Sequence, residues 1–400
     1  MATAIVLAGA GARGAYEAGI LSEILPALLA EEDQVVLAGT SAGAINIALM
    51  AGTAHLPIAS TASCLRDVWC KLDESRVFDV DVTSAVPYLL EVLSAGGSTK
   101  RTYGLLDTAP LTKTVDQNEH VDWPTLRRNI GATWVRAAGI VATEVATGSS
   151  VVFTQGLADV PPRNGSRGIE YRPAELTGAH VRASAAIPIA FPSVLIDGQG
   201  WFADGGTRLN TPIAPARDML DSLGTSMKRV IIIATHPDPS TPAPSVSKPI
   251  LDRPDIIDEC ASILHSLFVD RVAEDVDALR RHNHVIAATR NLIGATAAPR
   301  SGEDGAPDIV EHAYFGPPKT GLFAQAAASV FAEKYSKWSL KDFSLISRVL
   351  GGKGASHDEL LSFLFFDPLY LSTIFEMGRA HAAASMTNGI PWAVTRPPPR

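Results

Sequence analysis

Cysteine is scarce in this chain. Cys64, Cys70 and Cys260 are its three cysteines, too few and too far apart for a disulfide framework or a Cys-rich metal site. Buried free thiols in a reducing compartment are the expected state. Long apolar runs are also missing, since none approaches the ~18 residues that a membrane span needs. Met1 to Leu7 has no basic region ahead of its apolar residues, so it does not read as a signal peptide. The expectation is a soluble, cytoplasmic protein. Basic charge is in deficit too. A net charge of -8 disfavours a nucleic-acid partner and gives no pull towards an anionic membrane. Any membrane contact is expected to be transient, apolar and local. Histidines show no H-E-x-x-H spacing, and Cys64 and Cys70 are not at zinc-knuckle spacing, so neither metal nor cofactor is expected.

With 400 residues the chain can bury a large core and make one large domain or two. Residues Ala4 to Ala8 read as a first strand, followed by a glycine-rich loop and a helix from Ala15 to Leu29. Gln34 to Ala38 is a second strand leading into Gly39-Thr40-Ser41-Ala42-Gly43, and Ala42 to Ala51 is helical. Strand, glycine loop, helix, strand, turn and helix describe a parallel α/β sheet working at the C-terminal ends of its strands. Further strands are expected within Ala132 to Val145 and at Val151 to Thr154. A hairpin is expected from Val194 to Asp204 with its turn at Asp197-Gly198, and a last strand from Arg229 to Thr235. Thr211-Pro212 reads as the cap of another helix. Residues 237–254 are rich in Pro and Ser and read as a linker. Beyond it come a long helix, Asp255 to Arg281, a strand at His284 to Ala288, a loop from Asn291 to Pro307, helices at Glu359 to Phe366 and Leu371 to Ala384, and a disordered tail at 394–400. The expected division is a core at 1–236, the linker, and a mainly helical region at 255–400 packing on the core.

Two motifs carry chemistry. In Gly39-Thr40-Ser41-Ala42-Gly43 a sharp strand-to-helix turn would place the Ser41 hydroxyl at its apex, beside free N–H groups of the next helix. A buried Gly/Ser turn is the plainer alternative. Gly9-Ala10-Gly11-Ala12-Arg13-Gly14 also matches a dinucleotide fingerprint. However, the second strand ends in Gly39-Thr40-Ser41, while Glu31, Glu32 and Asp33 precede it, so the ribose partner is missing. Used differently, the loop's successive amides form an anion-binding nest beside Ser41. A serine needs a base. Asp204, at a strand end before Gly205-Gly206, is one candidate, and His236 is another. The order Ser41, Asp204, His236 would copy an α/β-hydrolase triad. Against that, the nucleophile comes on only the second strand, and a loop histidine before Pro237 is the simpler account of His236.

Four blocks together resemble the patatin-like phospholipase family: the loop Gly9 to Gly14, the elbow Gly39 to Gly43, Asp204-Gly205-Gly206, and the segment Ala183 to Pro192. The resemblance covers about residues 4 to 236. It implies an α/β fold with a mostly parallel central sheet, helices on both faces and a helical C-terminal extension. It implies a serine acyl hydrolase acting on fatty-acyl esters of lipids, with Ser41 and Asp204 as a catalytic dyad and Gly9, Ala10, Gly11, Ala12, Arg13 and Gly14 as the oxyanion loop. Gly39, Thr40, Ala42 and Gly43 would shape the elbow, and Gly205 and Gly206 the aspartate's approach. For this mechanism burial must raise the Asp204 pKa. Arg13 reads as a residue whose side chain fixes the loop, with a direct phosphate contact as the second choice. One departure stands out: Ala10 replaces the middle of three glycines, and a positive φ there would cost about 1 kcal/mol. The remaining alternatives are a His236 esterase and a non-catalytic lipid- or nucleotide-binding protein. Val86 to Leu93 and Phe363 to Phe366 are candidates for lining an acyl channel, with core packing the plainer account of both.

Overall fold

The computed structural model describes residues 2–31, 34–79, 104, 106–161, 168–188, 190–224, 228–240, 271–293, 309–335 and 355–393. Its centre is a mostly parallel sheet. The strands are β1 (Ala2–Leu7), β2 (Val35–Thr40), β3 (Val135–Glu144), β4 (Ser150–Gln155), β5 (Ile169–Pro173), β6 (Val194–Ile196), β7 (Gly200–Asp204), β8 (Lys228–Ile233) and β9 (Val310–Phe315). They run in the order β5-β4-β3-β2-β1-β8-β9, with the β6–β7 hairpin attached to β3. The pairs β1–β2, β1–β8, β2–β3, β4–β5 and β8–β9 are parallel. Strands β1 and β2 are buried along their whole length, which is why both read as unbroken apolar runs rather than alternating ones.

Helices cover the sheet. Gly14–Glu31 buries Tyr16, Ile20, Ile24 and Leu28 at intervals of four residues, a helical stripe facing the core. Pro368–Ser385 lies against it and buries Tyr370, Ile374, Phe375, Gly378 and Ala382. No single helix among the described residues is long and apolar enough to cross a membrane. The pair His357–Leu364 and Pro368–Ser385 has the combined length, but it bends by 92° and its apolar side chains pack into the main core. Cys64 and Cys70 are free thiols, and burial pushes Cys64 up to about 12. Cys260 lies outside the described residues.

Register positions the site. Leu7 pairs with Gly39, so the ends of β1 and β2 lie side by side and deliver the glycine loop and the elbow to one edge. Strand β3 runs past the end of β2: Thr40 pairs with Val141, and Ala142 then pairs with Asp204. The other side of β3 is taken by β4 over Ala138 to Thr143. Strand β7 therefore continues the lane that β2 vacates, which brings Asp204 end-on to the elbow.

Two expectations are corrected. His284 to Ala288 is not a strand but part of the helix Arg271–Ile293, whose buried Val272, Val276, Leu279, Asn283 and Ile286 keep a period near 3.5 and override the short apolar run. The region after residue 255, expected to be mainly helical, also carries a strand that the sequence reading placed elsewhere. It gives the sheet β9, where Glu311 pairs in register with Arg229 of β8 and meets it in an ion pair at 3.0 Å. The strand β5 also goes unread in the sequence. Thr211 makes no side-chain cap: the helix Ile213–Ser222 starts after Pro212. Residues 255–270, Val86 to Leu93, the tail at 394–400 and most of the linker and of the 291–307 loop lie outside the described residues.

Candidate active site

The elbow is strained where the sequence places its serine. Ser41 has φ 54 and ψ -119, the only positive φ at a non-glycine among the described residues. Holding such a conformation costs on the order of 1–3 kcal/mol, and the surrounding structure must enforce it. Glycine at position 43 permits the turn, because a Cβ there would lie 2.6 Å from the Leu7 carbonyl oxygen and 2.7 Å from the Leu7 Cβ. The Ser41 amide donates to Ser184 Oγ at 2.8 Å, and that hydroxyl donates to the Val141 carbonyl at 2.5 Å. Ser184 thus ties the elbow to β3. Sequence reasoning gave it no role, although it lies in the Ala183 to Pro192 block that carries the resemblance.

Ser41 Oγ donates to Asp204 Oδ2 at 2.7 Å, with no imidazole between them. Oδ1 accepts from the Gly206 amide at 2.7 Å. Asp204 is fully buried. Burial pushes its carboxyl up to about 7, against the lowering effect of the bonds from Ser41 and Gly206. That is the direction a carboxylate base for serine requires. The backbone is held as well, since Thr143 Oγ1 donates to the Asp204 carbonyl at 3.0 Å. His236 is placed differently. It follows β8, two strand lanes from β2 and so roughly 10 Å away by backbone. Its Nδ1 lies 3.0 Å from the Pro237 carbonyl oxygen.

The glycine loop forms a single 3₁₀ turn, Gly11–Arg13. Its entry is pinned by the Gly9 amide, which donates to the Asn210 carbonyl at 3.1 Å. The amides of Arg13 and Gly14 turn inward onto the carbonyls of Ala10, Gly11 and Ala12. Of the six loop residues named from the sequence, Ala10, Gly11 and Ala12 keep amides that make no hydrogen bond among the described residues. The positive φ falls on Gly11 (φ 55), whereas Ala10 has φ -146. Alanine at position 10 is therefore unstrained. Ala10→Gly is expected to leave ester turnover within about twofold of wild type, because alanine already fits this backbone. A several-fold gain in turnover would show that the alanine does perturb the loop.

Gly11, Ser41 and Ala42 line an open cleft. The rest of its lining is almost wholly apolar, with Ile45, Leu49, Trp69, Leu111, Val121 and Phe366 among the residues. Behind the loop, Asn46 donates to Glu17 Oε2 at 3.3 Å and to the Gly14 carbonyl at 3.3 Å, and accepts from Trp69 Nε1 at 2.7 Å. Burial raises the Glu17 pKa well above the usual carboxylate range. This network joins the loop helix, the elbow helix Ala42–Thr53 and the cleft wall. Nothing in the local sequence around Glu17 flagged it.

A strained serine at a strand-to-helix elbow, bonded to a buried carboxylate at the C-terminal edge of a mostly parallel sheet, is the layout of a nucleophile-elbow α/β protein. The particular family follows from comparison. The family model described as patatin-like phospholipase matches residues 5–217, more than half of the chain, and the chain belongs to that family. No curated protein matches it. Among solved structures it is similar to VipD from Legionella pneumophila at 12% identity and a TM-score of 0.31, over 90% of this chain and 66% of that one. The chain thus spans just under two thirds of that protein's length.

Proposed function

We propose that the protein is a serine acyl hydrolase that cleaves fatty-acyl ester bonds of lipids, with Ser41 as nucleophile and Asp204 as base. The observation that carries this is the direct 2.7 Å bond between the Ser41 hydroxyl and a fully buried Asp204 carboxylate at the head of an apolar cleft. Ser41 Oγ attacks the ester carbonyl carbon and its proton passes to Asp204 Oδ2. The carbonyl oxygen becomes an oxyanion facing the amides of Gly11 and Ala12, with Ala42 at the start of the elbow helix adding a third donor. Each well-placed donor of this kind is worth on the order of 3 kcal/mol in the transition state. The C–O bond then breaks, and the alcohol leaves with the proton held by Asp204. Water attacks the acyl-serine, Asp204 takes its proton, and the fatty acid departs as the proton returns to Ser41.

Residues 1–236 form the catalytic core on this account, and the described helices after residue 255 pack on it while β9 extends its sheet. The apolar lining supports an acyl chain as the bound group. The sparse cysteines are consistent with a cytoplasmic setting, and any contact with a lipid surface would be transient and apolar. The test is release of fatty acid from lysophospholipid micelles and of p-nitrophenol from short-chain esters. His236→Asn is expected to retain turnover within about threefold, because the imidazole stands roughly two strand lanes away from the elbow. Loss of turnover in that variant would put a Ser-Asp-His triad in place of the dyad.

A further inference from the structure

The anion-binding turn is held from the far end of the chain. Arg13 closes the Gly11–Arg13 turn, and its guanidinium is buried among the C-terminal helices. Its Nε and Nη2 donate to Ser362 Oγ at 3.1 and 2.5 Å. Nη2 also donates to Glu359 Oε1 at 2.6 Å and to the Glu359 carbonyl at 3.4 Å. The Phe363 ring lies 3.7 Å from the Arg13 Cζ, and the Phe323 ring 5.0 Å. Glu359 and Ser362 are three residues apart on the helix Ala355–Leu364, so they share one face.

A second contact is independent of Arg13. At Gly11, in its positive-φ conformation, a Cβ would lie 2.5 Å from the Phe363 carbonyl oxygen. The backbone of the turn rests directly on the end of that helix. Two residues past the helix, Phe366 lines the cleft. Phe323, Glu359, Ser362, Phe363 and Phe366 all lie beyond residue 217, outside the stretch that the family model matches.

We propose that the helix Ala355–Leu364 positions the oxyanion turn, with Ser362 and Glu359 acting through Arg13 to hold the Gly11 and Ala12 amides where the oxyanion forms. This rests on Ser41 being the nucleophile. Neither Ser362 nor Glu359 touches substrate, so both are positioning residues. The physical ground is tolerance: a misplacement of about 1 Å in a catalytic donor can cost about 10²-fold in rate. A buried guanidinium bonded to one hydroxyl through two nitrogens has a fixed orientation. Removing that hydroxyl takes away the acceptor of the buried Nε and leaves Nη2 on Glu359 alone, so the guanidinium loses its fixed orientation and the turn can shift with it.

The experiment compares wild type, Ser362→Ala and Glu359→Gln, with Ser372→Ala as a half-buried control on the neighbouring helix Pro368–Ser385, where its hydroxyl meets, among the described residues, only the Leu369 carbonyl of its own helix. Three quantities are read: kcat and KM on a short-chain p-nitrophenyl ester, Ki for an alkylboronic acid, and hydrogen exchange of the peptide spanning residues 8–16. The boronate forms a tetrahedral anion on serine and reports the oxyanion site. Ser362→Ala is expected to lower kcat about 10- to 100-fold, with KM within about twofold and the boronate Ki raised by the same factor as kcat falls. Glu359→Gln, the milder change, is expected to cost about three- to tenfold in kcat, and both should speed exchange at the turn. Unchanged kcat, Ki and exchange would overturn the proposal. So would a loss in Ser362→Ala that appears only in KM. If Ser362→Ala does not fold, Glu359→Gln decides. Turnover equal in wild type and Ser41→Ala would sink the nucleophile assignment instead, while the exchange comparison would still decide whether the helix holds the turn.

Discussion

Ser41→Ala is expected to lower ester turnover by about 10³-fold or more, the scale seen when a serine nucleophile is removed from an otherwise intact site. The protein should remain folded, because the serine is a source of strain rather than of stability. At φ 54 and ψ -119 any L-residue is held off its favoured backbone, and alanine keeps that cost. Ser41→Gly removes it. The glycine variant should be equally inactive yet more stable by about 1 kcal/mol, since the left-handed region costs L-residues about 1–2 kcal/mol and glycine little. Chemical denaturation alongside an ester assay checks both statements. A glycine variant less stable than alanine would mean that the elbow is not strained in solution.

Asp204→Asn carries the second large effect. The amide can keep a bond to Ser41 and to the Gly206 amide but cannot accept the serine proton, so turnover should fall about 10²- to 10⁴-fold. With Asp204 as the base, the ionised carboxylate would be the active form, so kcat/KM should rise with pH along a limb near 7, where burial has moved the group, rather than near 4. Stability should run the other way. Below about pH 4 the carboxyl is protonated in both the folded and unfolded chains, and burial costs nothing extra. From about 4 to 7 the unfolded chain ionises while the folded chain stays protonated, so stability falls as pH rises and levels off above the folded pKa. The accumulated cost is on the order of 2–4 kcal/mol. The substituted amide cannot ionise, so the Asp204→Asn variant should be more stable than wild type at pH 8 and similar to it at pH 4. A variant less stable than wild type at pH 8 would mean that Asp204 is not buried as a titrating acid.

The candidate site was legible where chemistry and backbone demand coincide in a short stretch. Ser41 lies between two glycines at a strand end, and Asp204 precedes two more, so each could be read from its own neighbours. The expected concern over Ala10 dissolved for a local reason: the turn places its positive φ one residue later, at Gly11. What stayed hidden depends on partners distant in sequence. Arg13 meets Ser362 across 349 positions, and no local pattern couples them. Strand β9 was missed because Glu311 and His312 interrupt its apolar run. Glu311 becomes explicable only once it faces Arg229 of β8. The misread segment at His284 to Ala288 is the converse case: a local apolar run looked like a strand until a longer helical period absorbed it.

Capture of the acyl-enzyme tests the central claim most directly. A p-nitrophenyl ester turned over by the wild-type protein and quenched in acid should leave the acyl group on Ser41, located by peptide mass spectrometry. Asp204→Asn should show little or none. An acyl group on a different residue, or steady release of fatty acid with Ser41 unmodified and Ser41→Ala still active, would contradict the dyad.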